Sequence, residues 1–254
     1  MIGDIVGKPG RSIIGKRLKD IRQEYSVDVV VANGENSAGG IGITRNVTNE
    51  LLEAGIDVLT TGNHVWDKKD IFEFISDETR LVRPANYPPQ TPGNPYTIVN
   101  VPNRGKLAVL NLSGRVFMPA LDCPFQIASK YLEEIKQHTP YILVDIHAEA
   151  TSEKQALAWH LDGQVSAVIG THTHVQTADA RILPKGTAFI TDVGMTGPRD
   201  SILGVKAEPV IRKFITQLPV KFEVADGPVM INAVFVDLCE EGTAINIRPF
   251  FEIS

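Results

Sequence analysis

Residues 141–174 read YILVDIHAEATSEKQALAWHLDGQVSAVIGTHTH, and this stretch decides the fold class. Two apolar runs, YILVDI and VSAVIG, flank the helical segment SEKQALAWHL, so the pattern predicts a strand, a helix and a second strand. Histidines follow both strands: His147 after the first, His172 and His174 after the second. Because the carboxyl ends of strands line the ligand-binding crevice of α/β sheets, we expect these imidazoles to lie together.

The same alternation extends toward the N-terminus. GRSIIGKRLKDIRQEY places Ile14, Leu18, Ile21 and Tyr25 on one helical face, and VDVVVANG follows as a buried strand. Further helices are predicted at TRNVTNELLEAG, DKKDIFEFIS and FQIASKYLEEIKQH, and a further strand at IDVLTTGN.

Three antiparallel hairpins complete the pattern. Their predicted turns are PNRG at 102–105, Lys185-Gly186 and Glu241-Gly242. Alternating units together with hairpins indicate a mixed α/β architecture with more than one sheet. We expect residues 1–254 to form a single domain, with the proline-rich RPANYPPQTPGNP as a rigid surface loop inside it.

Composition excludes several classes of protein. The 25 Lys and Arg against 30 Asp and Glu leave a net charge of -5, which is not the basic footprint of nucleic-acid binding. The two cysteines lie far apart and near no histidine, so neither a disulfide framework nor a thiolate metal site is indicated. MIGDIVGKPG lacks a signal-peptide pattern and no apolar run approaches the length of a membrane span, so we predict a cytoplasmic protein.

Polar side chains with metal-binding chemistry occur at or near the ends of five predicted strands. Any one of them has a structural interpretation: Asp as a helix cap, NGEN and GNH as turns, a single histidine as a hydrogen-bonded core residue. Independent turns, however, have no reason to place carboxylate, amide and imidazole groups at successive strand ends. The joint pattern therefore favours a metal site, and its candidate residues are Asp4, Glu35, Asn36, Asn63, His64, His147, His172 and His174.

The chemistry of the donors narrows the choice of metal. All are oxygen or nitrogen atoms, without thiolate, and they exceed the number that tetrahedral zinc needs. Imidazole and carboxylate together suit iron or manganese in five or six coordination. We expect His172 and His174 to point the same way, because alternate side chains of an extended segment share a face.

The ordered motifs GDIVG, NGEN, GNH, DIHAEAT and GTHTH resemble those of the calcineurin-like metallophosphoesterases. ENSAGG, GRVFM, HAEATSEK and GTHTHV together resemble its bacterial YmdB-type branch, which hydrolyses phosphodiesters including 2',3'-cyclic nucleotides. The resemblance covers nearly the full chain. It implies a four-layer α-β-β-α sandwich with two mixed sheets, a small phosphodiester substrate, and two metal ions, with iron expected and manganese as the alternative. In this chemistry a hydroxide that bridges the two ions attacks phosphorus.

The resemblance also implies a role for each candidate residue. Val6 stands where the wider superfamily has a histidine ligand, and Glu35 replaces its bridging aspartate. In the YmdB-type branch the neighbouring Asn36 is implied to supply an oxygen instead. The first ion would then have Asp4, Glu35, Asn36 and His174 as ligands, and the second would have Glu35, Asn63, His147 and His172. His64 matches the general acid that protonates the leaving alkoxide.

Some features are left open at this level. The run before Asp4 is shorter than a first strand usually is in this family, so we expect that strand to be open to fraying. Glu149 and Asp192 are expected to orient ligand histidines, Arg115 and Arg199 are weaker candidates for substrate contact, and no substrate-binding residue is assigned. A homo-oligomer is left open.

Two other functions compete with a phosphodiesterase. One is a phosphomonoesterase or phosphoprotein phosphatase, which uses the same chemistry. The other is a regulatory protein whose metal site is mainly structural. The presence of His64 argues against a pure pseudo-enzyme, and the acidic balance of charge argues against unaided RNA binding.

Overall fold

Two β-sheets lie face to face between two layers of helices in the computed structural model, which describes residues 1–254. The helices are α1 (Gly7–Glu24), α2 (Arg45–Glu53), α3 (Pro124–Ile135), α4 (Thr151–Leu161) and α5 (Ala207–Thr216), with a 3-10 helix at Lys69–Glu73. The strands are β1 (Asp4–Ile5), β2 (Val31–Asn33), β3 (Val58–Thr60), β4 (Leu81–Val82), β5 (Tyr96–Val101), β6 (Gly105–Ser113), β7 (Tyr141–His147), β8 (Ala167–Thr171), β9 (Arg181–Ile182), β10 (Ala188–Ile190), β11 (Met195–Pro198), β12 (Val229–Leu238) and β13 (Ala244–Ile253).

Both sheets are mixed. One has the order β5-β6-β7-β8-β10-β9, with β6, β7, β8 and β10 parallel and antiparallel strands at both edges. In the other, β1-β11-β12-β13 and β2-β3-β4 are joined through Ile2, which bridges to Ala32 and Ala233. The predicted sandwich with two mixed sheets is therefore confirmed.

The core follows this layering because successive residues of a strand face opposite ways. Val31 and Val58 pack between the sheets with residues of β6, β7 and β8. Their neighbours Ala32 and Leu59 face outward onto α1 and α2. On the far side, Leu132 of α3 and Leu157 of α4 cover the six-stranded sheet. Strand ends at the edge of this sandwich are thus held by cores on both of their faces.

The three hairpins form as predicted, at β5-β6, β9-β10 and β12-β13. The prediction of a helix over DKKDIFEFIS is wrong, because only the five-residue 3-10 helix forms there. The buried residues of this segment, Ile71, Phe74 and Ile75, span little more than one turn. Helix α5 was not predicted. Pro209 weakens its pattern but lies in the first turn, where the backbone N–H needs no partner.

The proline-rich segment is a surface loop only in part. Arg83, Ala85 and Asn86 at its start are buried. The Asn86 amide makes two hydrogen bonds to Ser113 at the end of β6. It donates to the Ser113 carbonyl at 2.8 Å and accepts from the Ser113 N–H at 2.9 Å. The segment therefore helps to fix the end of a central strand. Among the helices, none has the length and apolar character needed to cross a membrane.

Candidate metal centre

The strand ends bring the seven candidate ligands together at one edge of the sandwich. Asp4 lies on β1, Glu35 and Asn36 follow β2, and Asn63 follows β3. His147 is the last residue of β7, and the remaining two histidines follow β8. Asp4 and Glu35 are almost fully buried, although both are carboxylates. Buried charges need a partner, so the arrangement calls for positive charge at this point.

Of the four residues implied for the second ion, three surround a nitrogen atom of the fourth, His147. His147 Nε2 lies 2.9 Å from Glu35 Oε1, 3.0 Å from His172 Nδ1 and 3.1 Å from Asn63 Oδ1. Glu35, His147 and His172 each present a donor atom, and these atoms lie within 4.8 Å of one another. Such a cluster of imidazole, carboxylate and amide oxygen could hold a metal ion.

The residues implied for the first ion show a second sign of a cation. Asp4 Oδ1 is buried without a hydrogen-bond partner and lies 3.8 Å from His174 Nε2. Leaving a buried carboxylate oxygen unsatisfied is costly, which a bound cation would relieve. The Asn36 amide lies between His174 and Glu35, with Nδ2 3.2 Å from His174 Nε2 and 3.3 Å from Glu35 Oε1. Turning this amide over presents its oxygen at the same place.

The short strand β1 is anchored rather than frayed. The Asp4 N–H donates to the Gly194 carbonyl at 3.0 Å, and Asp4 pairs with Met195 in a parallel register. The terminal amine of Met1 donates to the Val234 carbonyl at 2.6 Å. Hydrogen bonds to both neighbouring strands therefore oppose the fraying expected of so short a strand.

Titration of the cluster reflects the same balance of charge. Burial raises the pKa of Glu35, but the positive charge of His147 and its hydrogen bond outweigh burial and bring that pKa to about 2. Burial lowers the pKa of His147, and the charges of Glu35, Asp4 and Asp145 reverse this and raise it to about 9. Burial, followed by the nearby charge of His147, lowers the pKa of His172 to about 3. A metal ion would take over the charge that the His147 proton supplies.

The segment that carries two of the histidines is not extended. Strand β8 ends at Thr171, and His172 and His174 adopt left-handed backbone conformations with φ of 99° and 66°. The expectation that they share the face of an extended strand is therefore wrong, although both rings reach the site. Non-glycine residues adopt this region at a cost, and only where their surroundings hold them there.

A buried ion pair holds this strained segment. Asp192 Oδ2 accepts from the Thr173 N–H at 3.0 Å and from Lys154 Nζ at 2.7 Å. Lys154 Nζ also donates to the Thr171 carbonyl at 2.7 Å, and both charged side chains are fully buried. Asp192 thus fixes the backbone between the histidines rather than their rings. Glu149 Oε2, at 3.1 Å from His172 Nε2, is the carboxylate that orients a ring.

Replacing Lys154 by alanine is expected to lower the free energy of unfolding by about 3–5 kcal/mol, because Asp192 would keep a buried charge without its partner. Urea unfolding followed by circular dichroism measures this loss. Lys16→Ala, an exposed lysine of α1, is the matched control and should change stability by less than about 0.5 kcal/mol. Equal, small losses in both variants would show that the pair does not hold the segment.

His64 lies beside the cluster, and a carboxylate supports its ring. Its Nδ1 is 2.7 Å from Asp67 Oδ2, and its backbone N–H donates to Glu35 Oε2 at 3.1 Å. The side chain is 34% exposed, so the ring is accessible from solvent. Asp67 was not among the predicted site residues, although its position three residues after His64 in GNHVWD was the available signal.

The remaining candidates lie outside the cluster. Arg199 is paired with Asp200 at 2.7 Å. Arg115 Nη2 lies 3.5 Å from Cys123 Sγ. His138 and His160, the other two histidines of the chain, are exposed on the surface.

Comparisons with known proteins agree with this arrangement. Residues 1–250 match the family model described as YmdB-like protein. The 2',3'-cyclic-nucleotide 2'-phosphodiesterase of Bacillus subtilis is 52% identical over 240 residues, which cover 94% of this chain and 90% of that enzyme.

Solved structures show the same fold. A hypothetical protein from Thermus thermophilus has a TM-score of 0.93 at 44% identity, covering 99% of this chain and 97% of its own. A novel phosphatase from Mycoplasma pneumoniae has a TM-score of 0.92 at 34% identity, covering 99% and 92%. The match to the family model and the identity to the Bacillus enzyme both extend over almost the whole chain, and this chain therefore belongs to the YmdB-like family.

Proposed function

We propose that this protein is a metal-dependent phosphodiesterase that hydrolyses 2',3'-cyclic nucleotides or similar small phosphodiesters. The observation that carries the proposal is the convergence of the candidate ligands on Glu35, His147 and the unpartnered oxygen of Asp4. The activity of the Bacillus subtilis relative, a 2',3'-cyclic-nucleotide 2'-phosphodiesterase, supports the choice of a cyclic phosphodiester. Residues 1–254 act as one domain in this proposal.

The proposed ligand sets share Glu35. Asp4, Glu35, Asn36 and His174 hold the first ion, and Glu35, Asn63, His147 and His172 hold the second. Iron is the proposed metal, with manganese as the alternative, since the donors are nitrogen and oxygen atoms. When bound, two such ions lower the pKa of water and neutralise charge on the phosphoryl oxygens. Glu35 keeps its place because the His64 N–H holds its second oxygen.

His64 is the proposed general acid. Its Nδ1 is committed to Asp67, which leaves Nε2 as the atom that delivers a proton to the leaving oxygen. The contact with the Asp67 carboxylate fixes the orientation of the ring. The name of the Bacillus enzyme specifies the 2' ester as the bond that is cleaved. Hydrolysis of a 2',3'-cyclic phosphate at that ester leaves a 3'-phosphate.

The cytoplasm is the proposed location. Both cysteines are free thiols, as expected for a reducing compartment.

Parallel assays on protein of known metal content test the proposed activity. The substrates are 2',3'-cAMP, bis-p-nitrophenyl phosphate and p-nitrophenyl phosphate. We expect both diesters to be cleaved faster than the monoester, and 2',3'-cAMP to yield 3'-AMP. A preference for the monoester would favour a phosphomonoesterase instead. Fully loaded protein that cleaves none of the three would favour the regulatory protein.

A further inference from the structure

A buried chain of hydrogen bonds runs from the candidate ligand His147 away from the cluster. Thr171 Oγ1 lies 2.9 Å from His147 Nδ1 and 2.8 Å from Asp145 Oδ1. Asp145 Oδ2 in turn lies 2.5 Å from Thr60 Oγ1. All four residues are fully buried at the centre of the sandwich. Their hydrogen atoms can therefore be assigned by counting donors and acceptors.

The Thr171 hydroxyl has a single hydrogen, which it donates in a hydrogen bond to Asp145. Oδ1 of Asp145 accepts this hydrogen at 2.8 Å, while Oδ2 of the same carboxyl group faces the Thr60 hydroxyl. Toward His147, Thr171 Oγ1 then offers only a lone pair. A contact of 2.9 Å with that lone pair is a hydrogen bond only if His147 Nδ1 carries a hydrogen.

Two other groups face the same nitrogen. Asp4 Oδ1 lies 3.9 Å from His147 Nδ1, and its negative charge favours a hydrogen there as well. Asn33 Nδ2, a donor, favours the opposite arrangement but stands at 3.4 Å, beyond the usual hydrogen-bond range. The shorter bond to Thr171 and the carboxylate of Asp4 therefore prevail.

We propose that Thr171 and Asp145 are positioning residues that keep the hydrogen of His147 on Nδ1 and aim the Nε2 lone pair at the second metal ion. Nε2 is the atom that faces Glu35, Asn63 and His172. The inference rests on the second ion of the proposed function. It assigns to the two residues the role that a carboxylate or carbonyl plays behind many metal-binding histidines, here through an intervening hydroxyl.

Thr171→Val is the direct test, because valine keeps the shape and the β-branch suited to β8 but offers no lone pair. The Lys154 bond goes to the Thr171 carbonyl and is retained. We expect affinity for one of the two ions, measured by titration with Mn²⁺, to fall about 10–100-fold. The visible spectrum of the Co²⁺-loaded protein should change as well. Thr171→Ser keeps the hydroxyl and should show the Mn²⁺ affinity and the Co²⁺ spectrum of the wild type.

Thr48→Val is the matched control, since Thr48 is a buried threonine of α2 that bonds only to the Thr44 carbonyl. It should bind both ions as the wild type does. Asp145→Leu is the second variant and should also weaken one ion, because the Thr171 hydrogen would then turn toward His147. Thermal unfolding shows that each variant is folded.

Wild-type affinity for both ions in folded Thr171→Val or Asp145→Leu would overturn the inference. Wild-type protein that binds fewer than two ions would also overturn it, together with the proposed ligand sets. Protein that binds two ions but cleaves no diester would contradict the proposed function alone, because the Mn²⁺ and Co²⁺ readouts do not depend on turnover.

Discussion

His64→Ala is expected to lower kcat on 2',3'-cAMP by about 10²–10⁴-fold while the protein keeps its metal. The leaving oxygen would lose its proton donor, but the ring is not among the proposed ligands. Only the His64 backbone N–H contacts Glu35, and alanine retains that group. Steady-state kinetics together with metal analysis of the same sample make the measurement.

The control for this variant is His138→Ala, which removes an exposed histidine far from the ligand cluster in sequence and should leave kcat unchanged. A second substrate sharpens the result. Bis-p-nitrophenyl phosphate has a leaving group that needs less protonation, so its hydrolysis should fall less. If His64→Ala lost its metal along with its activity, or lost neither, His64 would not be the general acid.

Glu35→Ala is expected to lose metal binding and diesterase activity together, with activity falling to background. Glu35 Oε1 contacts His147 Nε2 at 2.9 Å, and Oε2 accepts from the His64 N–H at 3.1 Å. Removing this one carboxylate therefore takes away a ligand proposed for both ions and the group that holds the backbone of His64. Metal analysis after loading with excess Mn²⁺ and assays on 2',3'-cAMP report the two losses.

Glu53→Ala, at the exposed end of α2, is the matched control and should bind metal and turn over normally. Circular dichroism establishes that both variants are folded. Retention of two ions by Glu35→Ala would contradict its role as the shared ligand. Loss of activity in Glu53→Ala would show that the assay reports stability rather than the site.

The strand-helix-strand units were predictable from their apolar spacing, and the hairpins from apolar runs on either side of a turn. Ile14, Leu18 and Ile21 recur at helical spacing and are buried on α1, and the turn at Glu241-Gly242 separates the paired strands β12 and β13. The length of the helix around Lys69–Glu73 was overestimated, because one turn of apolar spacing does not support a longer helix.

The candidate ligands were visible in the sequence, and their supporting residues were not. His147 and His172 stand at strand ends next to distinctive neighbours, so position and chemistry point to the same place. Thr171 and Lys154 have side chains that occur throughout any chain, and their importance arises only from burial and from what they touch. The left-handed backbone of His172 likewise depends on tertiary contacts, which a local pattern does not encode.

The dependence of 2',3'-cAMP hydrolysis on bound metal separates a di-metal phosphodiesterase from the alternative functions. Protein stripped with a chelator is titrated with Mn²⁺ or Fe²⁺, and bound metal and turnover are followed in the same samples. We expect no turnover in stripped protein and a rise in turnover that reaches its plateau at two ions per chain. Turnover that is independent of metal, or no turnover in protein that holds two ions, would contradict the proposed function.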